Sequence, residues 1–389
     1  MDKVKIGLVG CGNICDIYFQ NVKKFSNTEI IACCDIIEER MKKKAQEYEI
    51  PQYGSLEDIL NNPDIEVVLN LTPPQSHAKI TLAALEAGKH VYSEKPLSVD
   101  LEEGKKIIDL AQSKGLKVGC APDTFLGGRL QMCRKIIDDG WLGEIIGGVA
   151  FMMCHGHEMW HPDPEFFYKR GAGPLFDMGP YYLTALIALL GPVKRIFGAT
   201  RTSFAKRNIT SQPKYGKKIE VEVPTHVSAI LDFENGTVVS LITSFDVWDS
   251  HTPRIELYGS EGTLSINDAD PLAGPNIFGG KIEFRNKKDA DWNSFPNIIP
   301  RKEEATPWSS IPSLFGYNDN SRGIGLADMA AAIRNNREHR ANGTLAYHVL
   351  EVMHGIYIAS REKRAYELQS TCERPDPLPT NIPEFIFNT

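Results

Sequence analysis

The sequence predicts a doubly wound α/β unit on a parallel sheet, followed by an α+β unit on a large antiparallel sheet. Three observations carry that reading. A short apolar run, Val4 to Val9, meets Gly10-Cys11-Gly12 and becomes helical in period, with Ile14, Tyr18, Val22 and Phe25 on one face. Strand-like and helix-like segments then alternate as far as about residue 122, which implies parallel strands joined by right-handed crossovers. Beyond Pro122 the alternation stops and hairpin signals appear. The expected division is therefore residues 1–122 and residues 123–389.

In the first part, the run Ile30 to Cys34 reads as a second strand ending in Asp35, and Glu38 to Tyr48 as a charged helix. Ile65 to Leu71 is a strand running into Thr72-Pro73-Pro74-Gln75-Ser76-His77, and the helix Ala78 to Ala87 stops at Gly88, a C-terminal glycine cap. His90 to Ser93 is a strand ending in Glu94-Lys95-Pro96; the helix Glu102 to Lys114 stops at Gly115, and Lys117 to Cys120 is the last strand.

In the second part, Leu130 to Asp139 reads as a helix, Ile146 to Cys154 as a strand, and Leu175 to Leu190 contains a helix. Val227 to Phe233 and Thr237 to Phe245 flank Glu234-Asn235-Gly236, where Asn-Gly tolerates positive φ. Arg254 to Tyr258 and Thr263 to Ile266 flank Gly259 to Gly262 in the same manner. Leu272 to Phe315, rich in Gly, Pro, Asn and Trp, reads as a long loop. Helical stretches cover Gly325 to Asn335 and Ala346 to Ser360, and the Pro-rich tail from Pro375 lies over the surface.

The opening turn has chemical meaning. Gly10 permits a tight turn, Gly12 lets backbone approach a pyrophosphate, and a helix N-terminus presents free N–H groups to an anion. Asn13 and Ile14 lie in the same turn, and Cys15 takes the third small position. Asp35, about 20 to 25 residues further on, suits a ribose diol. The plainer reading is a turn whose glycines serve packing alone.

With 389 residues the chain can bury a large core, and its net charge of −7, without basic tracts, argues against nucleic acid as a main partner. No apolar run approaches the ~18 residues of a membrane span, and no secretory leader precedes Val4. Eight cysteines without CxxC spacing read as reduced thiols, so a cytoplasmic setting is expected.

Three clusters fall at the ends of expected elements. In Glu94-Lys95-Pro96, proline restricts Lys95 to extended backbone and so aims its ammonium; a salt-bridged surface lysine is the plainer reading. In Gly171 to Tyr182, Pro180 suits a first helical turn, making Asp177 a candidate N-cap, with Tyr181 four residues on and on the same face. The third, Cys154-His155-Gly-His157-Glu-Met-Trp160-His161, is open to substrate contact, packing or metal binding. No second ligand cluster accompanies its soft histidine spacing, so no metal is expected. Trp160 could offer an apolar face to a sugar ring.

Together Gly10-Cys-Gly12-Asn-Ile, Thr72-Pro-Pro-Gln-Ser-His77-Ala, Glu94-Lys95-Pro96-Leu, Gly173-Pro-Leu-Phe-Asp177-Met-Gly and Tyr258-Gly-Ser-Glu-Gly-Thr resemble the Gfo/Idh/MocA family of nicotinamide-dependent oxidoreductases, over nearly the whole length. The resemblance implies a Rossmann domain and an α+β substrate domain. It also implies a cis bond between Lys95 and Pro96, and Lys95 beside substrate and nicotinamide. Thr72, Pro73, His77 and Glu94 then lie along the cofactor. Members of this family act on inositols and sugars and commonly pair their large sheets, so a sugar or polyol substrate and a homodimer or homotetramer are expected. Many members carry histidine as the proton acceptor where this chain has Tyr181; others carry tyrosine.

The expected chemistry is hydride transfer between nicotinamide and a secondary hydroxyl or ketone. Lys95 would hold the reacting oxygen, Asp177 would orient substrate or keep Lys95 charged, and Tyr181 would take the proton, with His157 or His161 as the alternative base. Trp160, His157 and His161 would contact substrate. Asp35 favours NAD over NADP because a carboxylate repels a 2′-phosphate; Ile36 and Ile37 follow it, and Arg40 stands on the next helix. Two other readings stay open: redox-neutral glycoside cleavage by transient oxidation and elimination, and a non-catalytic NAD sensor.

Overall fold

The computed structural model describes residues 2–267, 277–287, 308–380 and 383–387. The first part is β1 (Val4–Val9), α1 (Cys15–Val22), β2 (Thr28–Cys34), α2 (Glu38–Tyr48), β3 (Gln52–Gly54), α3 (Leu56–Asn61), β4 (Val67–Asn70), α4 (Pro74–Glu86), β5 (His90–Ser93), α5 (Leu101–Lys114) and β6 (Val118–Cys120). All six strands are parallel, in the order β3-β2-β1-β4-β5-β6. The order reverses beside β1, so the ends of β1 and β4 open a crevice at the carboxyl edge, the usual ligand position in such sheets. β4 is wholly buried because helices cover both faces, which explains its continuous apolar run. The short β3 and α3 were not anticipated; Ser55 starts α3 with a reciprocal capping box to Asp58.

The second part comprises α6 (Gly128–Asp138), β7 (Ile145–Met153), α7 (Gly173–Leu190), β8 (Val193–Arg201), β9 (Lys206–Asn208), β10 (Lys218–Glu220), β11 (His226–Phe233), β12 (Val238–Ser244), β13 (Ile255–Gly259), β14 (Gly262–Ile266), β15 (Glu283–Asn286), β16 (Ser309–Ser310), α8 (Ile324–Asn335), α9 (Gly343–Glu362) and β17 (Tyr366–Glu367). Nine strands form one sheet, β16-β15-β14-β13-β7-β12-β11-β8-β17. It is mixed, because β12 runs parallel to β7 while its other pairs are antiparallel. The expected loop from Leu272 to Phe315 needs correction where it is described. Ile282 and Phe284 are buried, and β15 and β16 extend the sheet edge. The remainder of that stretch lies outside the described residues.

One face of this sheet packs on α7, which is buried along nearly its whole length, and on α9. The opposite face aligns Phe197 with Ile230, and Val238 with Tyr258 across Gly147, and leaves all four exposed in a single chain. The tail is anchored rather than merely laid down. Leu378 N donates to Gln131, and Phe387 is buried against Phe25. Among the described residues no helix is long and apolar enough to cross a membrane.

Within α8, Asp328 is fully buried and accepts from Arg337, from the Arg340 side chain and from Arg340 N. Removing one member of a buried ion pair leaves the other uncompensated. Asp328→Ala should therefore lower stability by about 3–5 kcal/mol, read from urea denaturation midpoints at constant slope.

Candidate active site

The crevice side is built from β1, its glycine turn and α1. Gly10 has φ of +102°, and a Cβ there would lie 2.8 Å from the carbonyl of Leu71, so the turn presses directly on the end of β4. Gly12 differs: nothing lies within 4 Å of where its Cβ would stand, so this backbone faces open space. The N-cap of α1, Ile14, makes no side-chain cap, and Cys15 is buried beneath the first turn. Asn13, just before it, is exposed.

Asp35 closes the turn. Its carboxylate accepts from Cys11 N at 2.7 Å and from Ile37 N at 2.8 Å. A carboxylate has about four lone-pair sites, so two remain for a ribose diol. Ile36 beside it is fully exposed. An open glycine backbone, an uncapped helix start and an acid with spare acceptor capacity fit a dinucleotide.

Thr72 donates to Asn70, Pro73 is the N-cap of α4, and Pro74 opens that helix. His77 is enclosed rather than facing the crevice. Its Nδ1 and Nε2 lie 2.7 Å from the carbonyl oxygens of Pro96 and Thr72, and burial lowers its pKa. It therefore joins the loops after β4 and β5. Glu94, also buried, accepts from the Tyr18 hydroxyl of α1 at 2.8 Å and from Lys95 N at 3.0 Å.

The bond between Lys95 and Pro96 is cis. Lys95 Nζ meets the Asp177 carboxylate at 2.8 Å and the Asp177 carbonyl at 2.6 Å. Asp177 is not an N-cap. The helix α7 already begins at Gly173, with Pro174 in its first turn, so Asp177 and Pro180 both lie inside it. Pro180 has no N–H and disturbs the preceding turn, where the Asp177 carbonyl accepts from Lys95. The second Asp177 oxygen lies 3.3 Å from His157 Nε2. Tyr181, one turn on, places its ring 5.3 Å from the Lys95 ammonium.

These groups hold one another charged. Burial opposes ionisation of Asp177, but Lys95 and His157 outweigh it and hold the carboxyl well below the usual range. Burial likewise works against Lys95, and Asp177 more than restores its ammonium. For His157 burial lowers the pKa, yet the bond to Asp177 carries it up to about 9.

The three histidines have separate positions. His157 stands in the centre, flanked by Phe167 and Phe245. Trp160 and His161 lie at the rim with Phe166; His161 Nδ1 accepts from Asp163 N at 3.0 Å. His155 turns away and stacks on Trp248. Among the described residues no group of His, Cys, Asp and Glu could hold a metal ion. Sequence reasoning missed Arg322, which is buried and donates to the Tyr181 hydroxyl at 3.0 Å. No local signal marks it, because 141 residues separate the two.

Comparison with known proteins identifies the family. Residues 4–121 match the family model described as an oxidoreductase family with an NAD-binding Rossmann fold, and residues 130–265 match the GFO/IDH/MocA C-terminal domain. The chain belongs to the Gfo/Idh/MocA family of NAD-binding oxidoreductases. It is 27% identical over 341 residues to the dTDP-3,4-didehydro-2,6-dideoxy-alpha-D-glucose 3-reductase of Saccharopolyspora spinosa, covering 85% of this chain and 91% of that protein. It is 28% identical over 226 residues to the levoglucosan dehydrogenase of Pseudarthrobacter phenanthrenivorans, covering 54% and 57%. A levoglucosan dehydrogenase solved with NADH and L-sorbose has the same fold, with a TM-score of 0.78 at 18% identity, covering 95% of this chain and 100% of that one. The WlbA dehydrogenase of Bordetella pertussis, solved with NADH and UDP-GlcNAcA, gives 0.69 at 19% identity, covering 94% and 99%.

The His157 ion pair has a pH signature. Its folded pKa of about 9 stands above the ordinary 6.5, so its stabilisation is complete below pH 6.5 and disappears as pH rises through 9. The melting temperature of the native protein should exceed that of His157→Gln below pH 6.5, and the gap should close above pH 9.

Proposed function

We propose that the protein moves a hydride between NAD and a secondary hydroxyl or ketone of a sugar, glycoside or cyclic polyol, with Lys95, Asp177 and Tyr181 as its catalytic residues. The observation that carries this reading is the Lys95 ammonium, held by the Asp177 carbonyl and one Asp177 carboxylate oxygen and set beside Tyr181 at the carboxyl end of β5. The turn at Gly10, Gly12, Asn13 and Ile14, with Asp35, Thr72, Pro73 and Glu94, would hold the dinucleotide. When bound, the nicotinamide supplies the hydride acceptor or donor.

The protein's part is to hold the carbinol and move its proton. Lys95 donates to the reacting oxygen and stabilises charge developing there. Asp177 keeps that ammonium charged and aimed. Tyr181 takes the hydroxyl proton in oxidation as the phenolate, and in reduction the phenol returns it. Arg322 can only donate, so it occupies one side of the phenol oxygen and leaves the other free. The negative charge that this oxygen carries before it takes the proton lies beside two cations, Lys95 and Arg322. The histidines are less suited to the base role. His157 is already protonated at neutral pH through Asp177, and His161 uses Nδ1 as an acceptor, which leaves its proton on Nε2. Trp160, His157 and His161 then serve substrate contact. The exposed apolar face of the large sheet, with Phe197 and Ile230, suits pairing with a second copy.

Tyr181→Phe should reduce turnover by about 10²–10⁴-fold while NAD affinity, measured by calorimetry, is unchanged. Near-normal turnover would move the proton to another group. In the native protein, multiple turnovers of NADH on inositols, aldoses or glycosides are expected; aglycone release without NADH would replace oxidation with elimination.

Asp35 supports NAD over NADP, since its carboxylate borders the crevice. Asp35→Asn keeps an acceptor for Cys11 N but removes the charge. The preference for NAD over NADP should narrow by about tenfold, equivalent to about 1.4 kcal/mol, in paired binding titrations.

A further inference from the structure

A concavity of about 310 Å³ is lined by His155, Met159, Phe204, Asn208, Thr210 and Trp248. That is near the lower end of the volumes that hold small ligands. Its two large rings are exposed, Trp248 by 75% and Phe204 by 51%, yet both are backed from within. Trp248 is stacked on His155 with ring centres 3.3 Å apart. Phe204 lies over the guanidinium of Arg207, whose other neighbour is the ring of Tyr168.

Arg207 is the keystone of this floor. It is buried, and donates to Glu158 at 2.6 Å, to Asp246 at 2.7 Å and to the His155 carbonyl at 2.9 Å. Three chain segments are thereby locked into one rigid surface, and ordered side chains lose little freedom when a ligand arrives. The charges in the floor are spent on one another. The other lining cation, Lys206, pairs with Glu220 at 2.6 Å. Neither lining cation stands free for a phosphate, which argues for a neutral occupant.

We propose that this groove is a subsite for a neutral glycosyl ring, the second sugar of a disaccharide or longer glycoside whose first ring is oxidised beside Lys95. Aromatic faces receive the apolar face of a pyranose, while Asn208 and Thr210 meet its hydroxyls. One chain segment joins the groove to the catalytic cluster: the Cα atoms of His155, which lines the groove, and His157, which touches Asp177, are no more than about 7 Å apart. The proposal rests on the sugar-oxidising reading above and names the size and charge of its substrate.

The test uses the NAD-loaded protein with cellobiose, maltose, gentiobiose, sucrose and trehalose, their component monosaccharides, and UDP-glucose. Binding is read by calorimetry and NADH formation is followed in parallel. At least one disaccharide should bind about tenfold more tightly than its component monosaccharides and than UDP-glucose. Trp248→Ala and Phe204→Ala should each abolish that advantage and leave monosaccharide binding unchanged, with Trp248→Phe retaining part of it. Thermal melts confirm that the variants fold.

No disaccharide advantage, or an advantage intact in both alanine variants, overturns the subsite. So does tighter binding of UDP-glucose, or a change in sedimentation without a change in saccharide affinity, which gives the face to a second copy. Monosaccharide oxidation without a disaccharide advantage would remove the subsite and leave the proposed reaction standing. Disaccharide binding that depends on Trp248 without NADH would keep the subsite and remove the reaction.

Discussion

Asp177 lies one turn into a helix that is apolar on nearly every side, and a lone carboxylate there would be costly to ionise. It is tolerated because Lys95 and His157 approach from two different segments, one on each carboxylate oxygen. The same contacts that make the charge bearable bring the end of β5, the loop after β7 and the core of α7 to one point. Replacing a whole buried ion cluster by well-packed apolar groups is often neutral or stabilising, so the cluster is not there for stability alone. Its role is to fix a position: the ammonium cannot move without stripping Asp177 of one of its two partners.

A second set of contacts ties that point to the nucleotide turn. Tyr18 on α1 donates to Glu94, which accepts from Lys95 N. Asn21 on the same helix donates to the carbonyls of Asn320 and Arg322, and the Arg322 side chain reaches Tyr181. The helix whose start faces the crevice thus has one bonded route to Lys95 and another to Tyr181. Asp123, buried and with its pKa pushed up to about 6 by burial, accepts from Gly323 N and Gly325 N and anchors the entry to α8. The two halves meet through polar side chains with defined partners as well as through apolar packing.

What could be read from the chain alone was whatever depends on neighbours in sequence. The glycine turn, Asp35 at the end of β2 and the proline after Lys95 announce themselves because their chemistry is local. The hairpin at Asn235-Gly236 is legible for the same reason. Asp177 was placed at a helix start because Pro180 suits a first turn, but Pro174 suits it equally and lies where the helix begins. β15 is hidden because its one buried residue, Phe284, and Ile282 just before the strand stand among polar ones. Arg322 and the Arg207 floor could not be read at all, since their partners come from remote segments and only tertiary packing assembles them. The distinct fates of His155, His157 and His161 likewise follow from what packs against each.

The contact of Phe385 and Phe387 with the segment that follows the first helix has a consequence for biosynthesis. Phe385 and Phe387 sit against Phe25, just beyond α1, and the Ser26 amide donates to the Phe385 carbonyl. A ribosome delivers the nucleotide-binding half first, and domains generally fold as they emerge. That half must wait, with the apolar side of Phe25 uncovered, until some 360 further residues have been made. Residues made some 360 positions later thus cover a surface belonging to the nucleotide-binding half, and a nascent chain interrupted before them would leave that surface open to association with other chains.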